Sequence, residues 1–539
     1  MNSKEILRFC LDKGLLLDRE ILNLFSETSD SESLKLIIEK IKIHTRQRII
    51  TKSVFYENKD QVNQFFLTLP KENQKKLEKL KIKLGLSIEI SREQNDLYSS
   101  FKADQKENLI KITKRNQEQQ EQQRNEKESN VRILSAIPAF NKKPEIKDFV
   151  NYFRNRFSEI KNILQDHSEL NNLISINKIS GNAQRISMIG IVSNKRVTKN
   201  KNILLEIEDL TGKIKVLINQ NKPELYEKAE EIALDSVIGF NGSGNREILF
   251  ANDIVFPESM ISERKKSLVD EYVLFIGDLH FGSKLFLEKS FLKFIDYLNG
   301  KVPNTPEANK IKYLFIIGDL ITGVGNYPNQ EKDLKIMDIE EQFISIAELL
   351  KKIREDITII ISPGNHDGVR LMEPQFLLDE KYAWPLYNLE NVLFTGNPAQ
   401  INIGAKKGFS GFDILTYHGS SFPYYAGNIP QLIKKRAMNS PEEIMKYLLK
   451  NRHLAPTHSS AQYFPLEHDA LTIRNVPDIF VSAHTHKSGI SYYNNILVVS
   501  VSSWESFTSY QEKMGAEPDF CKIPMFNLKT REIKLLDFE

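Results

Sequence analysis

The sequence predicts an α/β domain with a layered sheet, preceded by a small β-barrel and an N-terminal helical region. Three observations predict it. Six apolar runs recur between residues 272 and 501, each of strand length and apolar on both faces, with helical stretches between several of them. Upstream, five short alternating segments with one helical insert between the third and fourth give the ordering of an OB-type barrel, although any small β-barrel gives similar local signals. Residues 1 to about 90, sparsely punctuated by Gly and Pro, place apolar residues at helical spacing: Ile6, Leu7, Cys10 and Leu11, then Leu15, Leu16 and Leu17, then Ile21, Leu22 and Phe25.

Composition sets the outer limits. With 539 residues, 40% hydrophobic and 27% charged, the chain has apolar surface for more than one core, which excludes a mostly disordered or fibrous protein. Its 74 Lys and Arg against 71 Asp and Glu leave +3, so any grip on a polyanion must come from local patches. Cys10 and Cys521 stand too far apart in sequence for a disulfide framework, which fits a reducing interior. Charged residues interrupt the Leu-rich stretch from Met1 to Phe25, and no run reaches the roughly 18 apolar residues of a membrane span. The expectation is a cytoplasmic protein without a membrane partner.

In chain order, a helical domain is expected over 1–90 and a polar flexible linker over 91–130, where 117–123 reads QEQQEQQ. A helix plus the barrel follows over 131–260. The helix is expected from Ile146 to about Leu164, and the strands over 185–193, 202–209, 213–219, 236–241 and 246–255. The helical insert falls near 224–233, with turns at Thr211-Gly212 and at Gly242 to Gly244. After a basic connector (Arg264, Lys265, Lys266), strands are expected over 272–276, 313–317, 357–361, 413–417, 478–482 and 496–501 of a domain spanning 267–539. Ile339, Phe343, Ile346, Leu350 and Ile353 form one helical face.

The polar residues sit where the apolar runs stop. Gly277-Asp278-Leu279-His280 follows the first run, Gly318-Asp319 the second and Gly364-Asn365-His366-Asp367 the third. His418 follows the fourth, and His484-Thr485-His486 the fifth. In open α/β sheets, ligand sites form beyond the carboxyl ends of strands, so these segments can converge. Alternate residues on an extended stretch point the same way, so Asp278 with His280, and His484 with His486, can be aimed as pairs. Mixed Asp, Asn and His donors without sulfur suit Mn²⁺, Fe²⁺ or Zn²⁺. Two divalent cations set against two carboxylates, Asp278 and Asp319, leave a net positive site suited to a phosphate ester, with both the attacking and leaving oxygens held.

This order, Asp-x-His, Gly-Asp, Gly-Asn-His-Asp, His, His-x-His, resembles the calcineurin-like metallophosphoesterase superfamily over residues of about 270 to 510. The resemblance implies a layered β-sandwich flanked by helices. It also implies Asp278, His280 and His486 on a first metal, Asn365, His418 and His484 on a second, and Asp319 bridging them. His366 would be the acid that protonates the leaving oxygen, with Asp367 orienting its imidazole. Many members carry an acid three residues after the bridging aspartate, where this chain has Thr322, which implies altered tuning more than lost metal.

The runs GDLITGVGNYPNQ (318–330), PGNHDGVRLMEPQ (363–375), RHLAPT (452–457) and VPDIF (476–480), behind a barrel, resemble the small-subunit family of archaeal family D DNA polymerases over roughly 135–539. That resemblance implies a 3′→5′ proofreading exonuclease using two divalent ions, most readily Mn²⁺. It implies DNA primer 3′ ends as substrate and a large polymerising subunit as partner. A sliding clamp is a further candidate partner, although no clamp-binding motif is detected. A phosphatase or phosphodiesterase for another substrate, and a non-catalytic assembly scaffold, are the alternative readings.

Lys195, Arg196, Lys199 and Lys201 on a barrel loop, Arg264 to Lys266, and Lys434, Lys435 and Arg436 after Tyr424 and Tyr425 are candidates for a DNA track; for any one cluster a solvated surface is the favoured alternative, and the barrel surface serving the large subunit is another. Arg370 is placed either on a phosphate or in a salt bridge. His44, His167, His453, His458 and His468 match no ligand spacing, and Trp384 and Trp504 are expected in the core.

Overall fold

The computed structural model describes residues 3–13, 15–18, 21, 22, 25, 49, 50, 131–135, 143–181 and 183–539. The chain divides into two compact units, Met1–Ile110 and Lys111–Glu539. In the first, a helix Ser3–Asp12 buries Ile6 and Cys10, and two short strands, β1 (Leu16–Leu17) and β2 (Ile49–Ile50), pair in parallel. The rest of the expected helical domain, and the 91–130 linker, lie outside the described residues.

The second unit opens with β3 (Val131–Ile133) and the helix Ile146–Gln165. A closed barrel follows, built from β4 (Ala183–Val197), β5 (Ile203–Asp209), β6 (Gly212–Ile218), β7 (Val237–Gly244) and β8 (Ile248–Val255), in the order β4-β5-β6-β8-β7. The helix Pro223–Glu230 lies between the third and fourth strands, as the pattern predicts. The expected turn at Gly242 to Gly244 is instead strand. Both glycines pair with β4 and β8, and the reversal falls at Asn245, whose Oδ1 accepts from the backbone N–H of Glu247 and Ile248.

Two six-stranded sheets make the remainder. The first runs β12-β11-β10-β9-β18-β19 and contains β9 (Tyr272–Gly277), β10 (Ile311–Ile317), β11 (Thr358–Ser362) and β12 (Val392–Phe394), all parallel. Antiparallel β18 (Lys522–Asn527) and β19 (Ile533–Asp537) complete it. The second runs β16-β17-β15-β14-β13-β3, from β13 (Ala399–Ile403), β14 (Phe412–Tyr417), β15 (Ile479–Ser482), β16 (Gly489–Tyr493), β17 (Ile496–Ser500) and β3. Period-two burial layers the domain. On β9, Val273 and Phe275 pack between the sheets against Ile414, Val481 and Val499, whereas Leu274 and Ile276 face the outer core with Phe343 and Ile346 of the helix Ile339–Leu350. The sandwich is therefore flanked by helices, as expected.

The helix Ile146–Gln165 lies between barrel and sandwich. Phe157, Ile160 and Leu164 pack on the barrel with Ile189 and Val237, while Tyr152 and Arg156 plunge into the sandwich side. Arg156, fully buried, donates to Asp469 Oδ2 (2.6 Å) and to the carbonyl of Pro456 (2.6 Å), and its guanidinium lies 4.8–5.4 Å from the ring centres of Phe153, Tyr463 and Tyr152. Tyr152 donates to Asp469 Oδ1 (2.6 Å) and His453 Nε2 lies 2.8 Å from Asp469 Oδ2. Trp504 is core, but Trp384 is 41% exposed and donates to Glu340. Among the described residues, no helix is long and apolar enough to cross a membrane.

Candidate metal centre

The expected ligands come together at the carboxyl ends of β9, β10, β11, β14 and β15. Each parallel strand is buried along its length and ends where the polar residue begins, so the sheets deliver Asp278, Asp319, Asn365, His418 and His484 to one place. The backbone there is held in an unusual conformation. Asp278, His280, Asp319, His484 and His486 have φ from +46° to +71°, a left-handed region that side chains other than Gly rarely occupy and that only a determined surrounding sustains. Gly318, also at positive φ, leaves room for His418: a Cβ there would sit 2.1 Å from His418 Nδ1.

Two donor sets share Asp319. In one, His280 Nε2 and His486 Nε2 face each other at 3.1 Å, with Asp319 Oδ2 3.7 Å from His280 Nε2 and Asp278 within ligand-sharing reach of both histidines. In the other, His418 Nε2 lies 2.9 Å from Asn365 Oδ1, 3.2 Å from His484 Nδ1 and 3.3 Å from Asp319 Oδ2.

Charge within this pocket follows from burial. Burial pushes the imidazoles of His280, His484 and His486 down, His484 to about 3 and His486 to about 4, so they present neutral nitrogen lone pairs. Burial also lifts Asp278 well above the usual carboxylate range. On Asp319 burial works the same way, but the surrounding imidazoles of His418, His366 and His280 hold it well below that range. His418 shows the counterpart: burial disfavours its charge, yet Asp319 and Asp278 raise it to about 9.

Divalent ions fit this donor set. Asp278 Oδ1 and His418 Nδ1 are buried without a hydrogen-bond partner, and imidazole nitrogens converge in pairs with little to separate them. Oxygen and nitrogen donors without sulfur match the harder transition metals.

Residues 272–488 match the calcineurin-like phosphoesterase family. The chain is 35% identical over 398 residues to the DNA polymerase II small subunit of Methanothermobacter thermautotrophicus, covering 73% of this chain and 80% of that one. It is 38% identical to the protein of the same name from Methanocaldococcus jannaschii (71% and 64%) and 35% to that of Pyrococcus furiosus (73% and 64%). The chain belongs to the archaeal DNA polymerase II small-subunit family. The matched region spans just under two thirds of the Pyrococcus and Methanocaldococcus members of that family. The calcineurin-like phosphoesterase match implies divalent metal ions, and the two donor sets lie within residues 272–488.

The roles expected around the centre divide. His366 reaches it: its backbone N–H donates to Asp319 Oδ1 (2.8 Å) and its ring lies edge-on to His280 with centres 4.8 Å apart. Asp367 does not orient that ring. Its carboxylate, buried and pushed up to about 7 by burial and then by Asp319, accepts from the backbone N–H of Ile321 (2.9 Å) and Gly364 (2.8 Å), stapling two loops together. His366 Nδ1 instead lies 3.0 Å from the carbonyl of Thr322, because main chain at 322 occupies the place nearest the ring. Sequence reasoning also missed Gln511, whose amide lies 2.8 Å from His486 Nδ1, and Asn397, whose Oδ1 accepts from the His418 N–H; neither stands at a ligand spacing.

The DNA track is thinner than expected. Lys195 folds back onto the carbonyls of Glu230 (2.7 Å) and Ile232 (2.9 Å), where burial lowers it to about 8, so it caps barrel backbone. Among the described residues Arg370 pairs with no carboxylate, so the expected alternative of a salt bridge is not formed. It donates twice to the carbonyl of Pro374 and lies 3.7 and 4.0 Å from the ring centres of Phe376 and Phe464. Lys265 pairs with Asp413 and Asp478, Lys435 with Glu443, and Tyr425 is core. Arg196, Lys199 and Lys201 stay exposed around the β4–β5 turn.

Proposed function

We propose that the chain is a metal-dependent 3′→5′ exodeoxyribonuclease that proofreads for a separate large polymerising subunit. One observation carries the reading: two sets of oxygen and nitrogen donors sharing Asp319, in a chain whose relatives are named polymerase small subunits. Asp278, His280 and His486 would hold one divalent ion, Asn365, His418 and His484 a second, and Asp319 both; Mn²⁺ is the favoured ion, with Fe²⁺ and Zn²⁺ suited to the same donors. When bound, the ions supply positive charge that polarises the phosphodiester and acidifies water.

The chain's own residues do the rest. Water attacks the terminal phosphorus and loses a proton to solvent, the P–O3′ bond breaks, and His366 in its protonated form gives a proton to the departing O3′ and is reprotonated from solvent, releasing a nucleoside 5′-monophosphate. The bond from His366 N–H to Asp319 fixes that acid against the shared carboxylate, and Asp367 fixes the Gly364 and Ile321 loops that carry both. In this reading residues 267–539 carry the chemistry. The barrel region, 131–260, offers Arg196, Lys199 and Lys201 to the phosphate backbone or its surface to the large subunit.

A primer labelled at its 5′ end tests it. With Mn²⁺ a ladder shortens from the 3′ end, and the ladder disappears with chelator and in His366→Ala. A primer left untouched in the presence of the large subunit overturns the reading. Hydrolysis of p-nitrophenyl phosphate without DNA loss assigns the centre to another phosphoester.

A further inference from the structure

We propose that Asn326 and Gln330 are positioning residues for His366, forming with the main chain of Thr322 and Gly323 an uncharged clasp that sets which imidazole nitrogen serves the reaction. The inference rests on His366 as proton donor.

The contacts at Nδ1 favour one tautomer. His366 Nδ1 lies 3.0 Å from the Thr322 carbonyl and 3.2 Å from Asn326 Nδ2, and Asn326 Nδ2 itself donates to the same carbonyl at 3.0 Å. A carbonyl only accepts, so the ring nitrogen beside it carries a hydrogen, and the contact with Asn326 Nδ2 is two donors converging on one oxygen; Nε2 is left on the opposite edge to take up the second proton and pass it to the leaving oxygen. Reversing the Asn326 amide would bring its oxygen against the Thr322 oxygen, two acceptors in contact, so the same carbonyl fixes the amide as well.

Gln330, 1% exposed, holds both members. Its Oε1 accepts from Asn326 N–H (2.8 Å) and its Nε2 donates to the Thr322 carbonyl (3.0 Å). Gln342 backs the loop, accepting from Gly323 N–H (3.0 Å) and donating to the Ile336 carbonyl (2.8 Å). The loop sits directly on His366: a Cβ at Gly323, where φ is +67°, would lie 2.2 Å from the His366 carbonyl oxygen and 2.5 Å from Asn326 Nδ2. Among the described residues no carboxylate is hydrogen-bonded to this imidazole. Carbonyl and amides orient the ring without adding negative charge beside it, at the position three after Asp319 where many superfamily members carry an acid.

Two esters separate positioning from mere folding. O3′ of DNA is a poor leaving group that needs the proton, whereas nitrophenolate leaves bis-p-nitrophenyl phosphate without one. With Mn²⁺, Asn326→Ala and Gln330→Ala should each lower kcat on the primer about tenfold, a share of the roughly 10²–10⁴ that a general acid contributes. KM for the primer and the rate on the aryl ester should stay within about twofold. His366→Ala should repeat the pattern more strongly, while Asp278→Ala should abolish both reactions. Equal losses on both esters, or an unchanged primer rate, overturn the proposal. If the wild-type chain cleaves only the aryl ester, the exonuclease reading fails alone, and the ring itself decides. In ¹⁵N-histidine-labelled full-length chain with Zn²⁺, with the resonance assigned by its loss in His366→Ala, an Nδ1–H tautomer that is lost in Gln330→Ala upholds the clasp and an Nε2–H tautomer overturns it.

Discussion

Two buried polar clusters in the second unit invite comparison. Around Asp469, the carboxylate accepts from Arg156 and Tyr152, from the backbone of Leu471 and from His453, whose own Nδ1 accepts from Ala455. Around Asp319, nitrogens face nitrogens, Asp278 Oδ1 and His418 Nδ1 lie 4.0 Å apart with no hydrogen-bond partner, and five residues hold left-handed backbone. The first cluster satisfies its carboxylate with protein donors, although Arg156 Nη2 has no hydrogen-bond partner, and ties the helix Ile146–Gln165 to the sandwich. The second is complete only with cations from outside. Burial and charge are alike in both; pairing distinguishes scaffold from site.

Substitutions can break that distinction. Asp278→Asn should lower the phosphodiesterase rate on the order of 10³-fold while leaving the thermal midpoint unchanged or higher, since it removes a buried carboxylate whose Oδ1 has no hydrogen-bond partner and whose charge burial disfavours; a melting curve beside a primer assay reads both. Asp469→Ala should do the reverse. It leaves Arg156 buried and uncompensated, costing about 3–5 kcal/mol in denaturant unfolding, with activity per folded molecule retained.

The smallest effect concerns pH. Burial, aided by the charge on Arg156, holds His453 down to about 4, so between that value and its unfolded value near 6.5 only the unfolded chain binds the proton. Stability contributed here is present above about 6.5 and lost as pH falls towards 4. Asp469, held far below its usual range against burial by Arg156 and His453, adds a loss at lower pH still. His453→Gln should flatten the slope of unfolding free energy over the upper window, and an unchanged slope would show that another group sets it.

The centre was legible because each apolar run stops abruptly on a Gly-Asp, Gly-Asn-His or His-x-His, and a strand can only deliver its last residues to one edge of a sheet. The barrel was legible from alternation and from the helix between its third and fourth strands. What escaped was what depends on reach. Lys195 turns back onto carbonyls 35 and 37 residues away, Arg370 lies against two phenylalanine rings, and Asp367 serves two loops instead of the histidine beside it. Charge in a sequence advertises a surface, but only packing decides whether a long side chain stays there.

β3 carries a consequence for modularity. Val131–Ile133 precedes the barrel yet pairs with Ile401–Ile403 at the rim of the second sheet. Topologically the barrel is an insertion within the phosphoesterase sandwich, with chain of the same sheet on either side of it. A fragment trimmed to the catalytic region alone would bare the β13 edge and its unpaired amides, an invitation to intermolecular strand addition. Phosphoesterase sandwich and barrel are thus best expressed and purified together.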